Sequence, residues 1–330
     1  MKRSKMKRVG IIGVGEYFPE KVLTNHDLEK MVDTSDEWIV TRTGIRERHI
    51  VSQGQATSDL AVKAARSALQ DARLKPQDLD LILVATVTPD MQFPSVACLV
   101  QHALGAKKAS CFDISAACAG FVYGMVVAQQ FIVNGVYKNV LVVGAETLSS
   151  VTDWHDRSTC VLFGDGAGAA VFSEVKRGGI LSVYLGSDGS KADLLMVPAG
   201  GSRYPATHQT VEKRMHYVKM QGNEVFKLAV NIMTESALIA LQKAGLKCQD
   251  VDCFIPHQAN LRILQAIVKR LGLPESKIFL NIDKYGNVSS ASTAAALCQA
   301  VKSKRIKKGD IVLLDAFGSG LVWGACVIEW

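Results

Sequence analysis

Short, unbroken apolar runs recur along this chain between longer stretches of mixed polarity. Leu81–Ala85 and Val140–Val143 are apolar at every position. A strand with one wet face alternates, so these runs predict strands covered on both faces. Ala109–Ile114 is a third strand-like run, followed by small residues and a long apolar run that ends at Asn134-Gly135. That order predicts a strand, a tight turn and a buried helix. Strands alternating with helices predict an α/β fold with mostly parallel sheets and helices on their faces.

The pattern occurs twice. Ala68–Asp80 and Ala240–Asp252 agree at nine of thirteen positions without a gap, at an offset of 172. Val140–Ala145 echoes Ile311–Ala316 at an offset of 171, and Phe163-Gly164-Asp165-Gly166 echoes Phe317-Gly318-Ser319-Gly320 at 154. A period this long suits a duplicated domain, not a solenoid. The halves are expected at 1–177 and 178–330. The fall in offset implies 17 extra residues in the first half, roughly Thr147–Leu162, which hold Trp154, His155, Asp156 and Arg157. A polar, aromatic loop present in one copy is expected to touch substrate; the alternative is a tolerated surface insertion.

Composition narrows the class. Of 330 residues 48% are apolar, enough for a sizeable core. Eight cysteines stand singly with no C-x-x-C pair, which argues against a zinc site or a disulfide framework and for a reducing compartment. The basic start Met1–Arg8 resembles a signal peptide, but the short, glycine-rich run after it meets Glu16 and Pro19 and fits a first strand better. No run suits a membrane span. A soluble, cytoplasmic protein is expected. Net charge is +7, much of it in the N-terminal arm and in Lys302–Lys308. The basic runs are short and not interleaved with aromatics, so an acidic protein partner or a phosphate-bearing substrate fits better than nucleic acid.

Candidate chemistry centres on Cys118, among small residues where the predicted turn enters the helix. Unpaired N–H groups and the positive end of a helix favour thiolate, which predicts a nucleophile; the alternative is a small buried cysteine. In the second half Tyr285–Ser290 holds the same station, so Asn287 is expected to mirror Cys118. His257 ends the strand after Asp252, where the ungapped repeat has Ala85. The Gly-rich loops at Gly10–Gly15 and Phe163–Gly168 lack the P-loop Lys-Ser/Thr and read as tight turns.

These residues resemble one family. Thr34–Arg48, Ala116–Phe121, Phe163–Gly168, Pro256–Arg262, Tyr285-Gly286-Asn287 and Ala316–Gly320 are similar to the motifs of β-ketoacyl-acyl-carrier-protein synthase III, the initiating condensing enzyme of type II fatty-acid synthesis. The likeness runs from Val9 to Trp330. It implies the thiolase-like fold, five layers α-β-α-β-α from two similar halves. It implies Cys118 as nucleophile with His257 and Asn287 completing a triad, and Ser319 and Phe317 as the oxyanion donor and gate. Trp38, Arg42 and Arg157 would bind coenzyme A. Gln258, Ala259, Asn260, Leu261, Arg262, Lys269 and Arg270 would dock an acidic acyl carrier protein. Phe93 would cross a homodimer interface to close the partner's acyl pocket. No metal or redox cofactor is implied; an acyl-CoA thioester, with acetyl-CoA the simplest case, would be a substrate. Ser319 departs from the third glycine of some members but keeps a backbone donor. Elongating condensing enzymes have a second histidine where Asn287 stands, and thiolases a second cysteine near the last Gly-rich loop. Three rivals stand beside it: a related synthase of specialised metabolism; a cysteine hydrolase, whose Cys, His, Asn order is the same; and a non-catalytic acyl-CoA or carrier-protein binding module, which would make Cys118 dispensable.

Overall fold

The computed structural model describes residues 7–330; Met1–Met6 of the basic arm lie outside the described residues. The first half contributes β1 (Val9–Tyr17), β2 (Leu81–Ala85), β3 (Ser110–Ile114), β4 (Val140–Thr147) and β5 (Asp165–Glu174). They form one five-stranded sheet in the order β1-β5-β4-β2-β3. The second half contributes β6 (Gly179–Ser187), β7 (Cys253–Pro256), β8 (Ile311–Gly318) and β9 (Val322–Glu329), a four-stranded sheet in the order β7-β8-β9-β6. The helices that position the site are α1 (Asp36–Thr43), α2 (Thr57–Ala72), α3 (Val96–Leu104), α4 (Gly120–Val133), α5 (Gly222–Ala244), α6 (Leu261–Leu271) and α7 (Ser290–Lys302).

The all-apolar strands are explained by layering. Along β2, Leu81 and Leu83 pack inward with α4 and α7, while Ile82 and Val84 pack outward with α2 and α3. The second sheet does the same: Val312 and Leu314 of β8 meet the central helices, and Leu313 meets α5 and α6. The layers therefore run α2/α3, sheet, α4/α7, sheet, α5/α6. This is the five-layered α-β-α-β-α arrangement.

The sheets are mixed, which corrects the expectation of mostly parallel ones. β2 is parallel to β3 and β4, and β7 to β8. β5 is antiparallel to β1 and β4, and β9 to β8 and β6. Parallel pairs arise where a crossover helix carries the chain back. No such helix separates β4 from β5 or β8 from β9, so the chain reverses there.

Register also corrects the end of the repeat. Thr147 pairs with Asp165 in one ladder and Gly318 with Val322 in the other, so residues 148–164 correspond to Ser319–Leu321 alone. The insertion is fourteen residues, not seventeen. Phe317-Gly318 ends a strand and matches Glu146-Thr147; Phe163-Gly164 precedes one. The shared Phe-Gly letters reflect two separate close approaches: a Cβ on Gly164 would lie 2.5 Å from the Tyr285 carbonyl oxygen, and one on Gly318 would lie 2.6 Å from the Cys118 nitrogen. Near the two helix starts Ala117 and Ser289 both have positive φ, 43° and 47°.

α7 lies directly on the first sheet. A Cβ on Gly144 would sit 2.5 Å from the Ser290 carbonyl oxygen, and one on Gly168 would sit 2.4 Å from the Ala295 nitrogen. Gly144→Ala should lower stability to chemical denaturation by about 1–3 kcal/mol, the usual effect of overpacking. Gly189→Ala, where nothing lies within 4 Å, should leave the midpoint unchanged. Equal midpoints for the two variants would contradict this packing.

Candidate active site

β3 ends at Ile114, and the chain turns through a 3-10 turn, Ala117–Ala119, into α4 at Gly120. Cys118 is held at this turn with the bare Gly318 pressed against its amide. Its side chain faces two cavities. One, of about 250 Å³, is also lined by His257, Asn287 and Phe317 and opens past Trp38 and Arg42. The other, of about 420 Å³, is lined by Val87, Leu148, Val151, Val218, Ser319 and Val322 among others. Cys118, Phe163 and Leu195 border both.

His257 follows β7, and its backbone N–H donates to the Asp315 carbonyl at 2.7 Å, extending the parallel pairing by one residue. The imidazole is buried, Nδ1 has no hydrogen-bond partner among the described residues, and burial pulls its pKa down to about 3. The ring is therefore neutral at physiological pH. Asn287 is fixed on both sides: its N–H donates to the Leu162 carbonyl at 2.9 Å, and its carbonyl accepts from Gly164 N–H at 3.1 Å. Its Oδ1 accepts the Ser289 N–H at 2.8 Å. That fixes the amide orientation and leaves Nδ2, a pure donor, for the cavity.

The expectation of a resting thiolate is corrected. Burial pushes the Cys118 thiol up to about 12; the Ser289 hydroxyl and the Cys118 backbone N–H act the other way, and a charge on Glu146 would raise it further. A helix start alone does not offset desolvation when the neighbouring imidazole is uncharged.

Trp38, Arg42 and Arg157 come together at the mouth. Ser35 caps α1 by accepting the Trp38 N–H at 3.1 Å. The guanidinium carbons of Arg157 and Arg42 lie 5.0 and 5.9 Å from the centre of the Trp38 ring. Arg157 belongs to a short helix of the insertion, Arg157–Cys160, and donates to the Asp33 carbonyl at 2.8 Å. Its neighbour Trp154 packs instead with Leu28, Ile39 and Cys160. The insertion is anchored from below by Arg48, a buried guanidinium that donates to Val161 O at 2.9 Å, Asn25 Oδ1 at 2.9 Å and Leu23 O at 3.1 Å.

The 258–270 segment divides. Gln258 is fully buried and its amide is used internally, donating to Pro256 O at 2.9 Å and Phe279 O at 3.2 Å and accepting from Asn281 N–H at 3.2 Å. It is not a docking contact, which corrects that assignment. Ala259 lines the first cavity. Asn260 caps α6 and donates to the Arg42 carbonyl at 3.1 Å, and Leu261 packs on Gly44. Arg262, Lys269 and Arg270 are exposed. Ser319 donates its hydroxyl to the Leu195 carbonyl. Phe93 is 83% exposed on the isolated chain.

Sequence reasoning missed three members of the site. Ser289 has positive φ, and its buried hydroxyl pulls both the Cys118 thiol and the Glu146 carboxyl down. Gly318 is required by contact. Glu146 had a visible signal, being the one acid in an apolar central strand. Among the described residues no cluster of three or more His, Cys, Asp or Glu could hold a metal, and no helix is long and apolar enough to cross a membrane.

Two family models match. That of 3-oxoacyl-acyl-carrier-protein (ACP) synthase III matches residues 112–189, and that of its C terminal residues 241–330. The chain is 60% identical over 322 residues to the β-ketoacyl-acyl-carrier-protein synthase III of Caldanaerobacter subterraneus subsp. tengcongensis, covering 97% of each chain. The crystal structure of 3-oxoacyl-acyl-carrier-protein synthase III from Aquifex aeolicus VF5 is 49% identical, with a TM-score of 0.91 over 98% of this chain and 100% of that one. The priming β-ketosynthase of the R1128 polyketide pathway is 37% identical, with a TM-score of 0.92 over 99% and 98%. With its glycine-packed cysteine turn, second-half His and Asn, and full-length likeness to these proteins, the chain belongs to the 3-oxoacyl-acyl-carrier-protein synthase III family.

Proposed function

We propose that this chain catalyses the decarboxylating condensation of a short acyl-CoA primer, acetyl-CoA in the simplest case, with malonyl-acyl carrier protein. The products are a 3-oxoacyl-acyl carrier protein, CO₂ and CoA, and the reaction initiates fatty-acid synthesis. The enzyme is an acyltransferase. The observation that carries this reading is the position of Cys118 between two cavities, with two neutral donors, His257 and Asn287 Nδ2, on one side only.

Trp38 offers a face to the adenine of CoA, with Arg157 and Arg42 beside it for stacking and phosphate. The first cavity takes the pantetheine arm and the second the acyl chain. The Cys118 sulfur attacks the thioester carbonyl, the carbon–sulfur bond to CoA breaks, and the thiol proton leaves with CoA. Backbone N–H groups of Cys118 and Ser319 receive the oxyanion, with Phe317 flanking the cavity. Malonyl-acyl carrier protein then enters where CoA left. His257 and Asn287 donate to its thioester carbonyl, the bond to CO₂ breaks, and its electron pair forms an enolate. The enolate carbon attacks the acyl carbonyl, the Cys118 carbon–sulfur bond breaks, and the released thiolate takes a proton from water to restore the thiol. Loss of CO₂ supplies the electron pair, so these steps draw on no metal or redox cofactor. A preorganised donor of this kind is worth about 3 kcal/mol.

Neutral His257 counts against a cysteine hydrolase, which works through a thiolate–imidazolium pair. The basic, exposed Arg262, Lys269 and Arg270 suit an acidic carrier protein, not nucleic acid or a membrane. Phe93 suits a homodimer, where it would close the partner's acyl pocket. Residues 1–177 would form the unit that carries the nucleophile and the CoA loop, and 178–330 the unit that carries His257, Asn287 and the docking helix. Eight free cysteines suit the cytoplasm. The 37% identity to a polyketide priming enzyme favours one second reading, a synthase with another primer; primer preference in condensation separates the two.

His257→Ala or Asn287→Ala should slow malonyl decarboxylation by about 100-fold while acyl transfer from acyl-CoA to Cys118 falls far less. Equal loss in both half-reactions would contradict the division of labour. Because burial raises the Cys118 thiol, its alkylation by iodoacetamide in the free enzyme should rise about tenfold per pH unit between about pH 7 and 9. A plateau near neutral pH would show a resting thiolate instead.

A further inference from the structure

Glu146 is the last residue but one of β4, fully buried, and the steps above give it no role. Its Oε2 accepts from Val87 N–H at 3.1 Å and from the hydroxyls of Thr86 at 3.2 Å and Thr88 at 2.6 Å. Those hydroxyls are themselves held by accepting N–H groups, Thr86 from Thr88 at 3.1 Å and Thr88 from Thr147 at 2.9 Å. Its Oε1 lies 2.9 Å from Ser290 Oγ, which lies 2.7 Å from the Ala85 carbonyl oxygen. A carbonyl only accepts, and a serine hydroxyl has one proton. With that proton on the shorter contact to Ala85, the contact to Glu146 needs a proton from the carboxyl. Burial acts in the same direction, raising the pKa of Glu146 against the pull of its hydrogen bonds.

We propose that Glu146 works as a neutral carboxylic acid that donates its proton to Ser290, and that this clamp makes it a positioning residue for the condensation. The reading rests on the roles given above to Cys118 and Asn287. Ser290 begins α7 and follows Ser289, whose N–H orients the Asn287 amide. On the other side, a Cβ on Gly120 would lie 2.8 Å from Ala85 Cβ and 3.5 Å from Ser290 Cβ, so the clamp abuts the turn that carries Cys118. One proton thus ties β4 and β2 of the first half to the helix start of the second and fixes the nucleophile relative to the decarboxylating donor. An ionised Glu146 would leave two acceptors sharing the Ser290 proton. It would also push the Cys118 thiol further up.

Glu146→Gln tests the proton directly, because its amide offers Ser290 an N–H and the threonines a carbonyl. Glu146→Ala should lower kcat for condensation by about 100-fold, as a displaced catalytic group does, with KM for acyl-CoA changed less than about threefold. Glu146→Gln should restore kcat to within about threefold of the wild type. The infrared difference spectrum of wild type minus Glu146→Gln at neutral pH should show the carbonyl stretch of a protonated carboxylic acid. Glutamine as damaging as alanine, alanine as active as wild type, or a carboxylate band in place of the acid band would each overturn the proposal. If Glu146→Ala does not fold, the glutamine variant and the spectrum still decide. The spectrum reports on Glu146 whether or not the enzyme condenses malonyl-acyl carrier protein, so failure of the proposed function is read separately, in the wild type.

Discussion

Backbone meets backbone at the centre of this molecule, and the rest of the site is arranged around that contact. The Cys118 turn, the end of β8 and the start of α7 approach so closely that a single Cβ at Gly318, Gly144 or Gly168 would overlap main-chain atoms. Two helices from two halves are thereby pressed between two sheets with their first turns adjacent. That closeness lets Cys118 from the first half and His257 and Asn287 from the second line one cavity. It also requires strain: Ala117 and Ser289 both adopt the left-handed region that non-glycine residues avoid, one beside each helix start.

Burial then determines the chemistry. It pushes Cys118, Glu146 and Asp315 up and His257 down, so each group at the centre is driven to its neutral form. Catalysis in such a place runs on oriented donors, not on standing charges. Asn287 illustrates this, since its oxygen is occupied by Ser289 and its N–H₂ is left for the cavity. Charges lie outside, at the mouth with Arg42 and Arg157 and on α6 with Arg262, Lys269 and Arg270, where a phosphate-bearing ligand and an acidic protein would be met in water.

Much of this was legible in the chain. Strands without polar alternation announced sheets covered on both faces, and the repeated helix-to-strand segment announced two similar halves. Cys118 stood out because small residues separate its strand from its helix. What failed did so for physical reasons. Strand direction depends on whether a crossover helix intervenes; the β4–β5 link holds only single short turns of helix and the β8–β9 link none. Matching glycines in Phe163–Gly166 and Phe317–Gly320 suggested equivalence, but glycine marks any close approach, and the ladder register separates the two. Gln258 looked like a surface polar residue in a docking motif and instead satisfies buried carbonyls. The thiolate expectation weighed a helix end without the desolvation that accompanies it. Glu146 was visible as a carboxyl in an apolar strand, but its proton becomes legible only from the distances to Ser290 and Ala85.

In the proposed reaction Cys118 carries the acyl group between two partners. Mass spectrometry of the enzyme after brief exposure to acyl-CoA alone tests that most directly. The acyl group should appear on the peptide that contains Cys118, and adding malonyl-acyl carrier protein should discharge it into a 3-oxoacyl product. An acyl group found on another residue, or one released as free acid without entering that product, would contradict it.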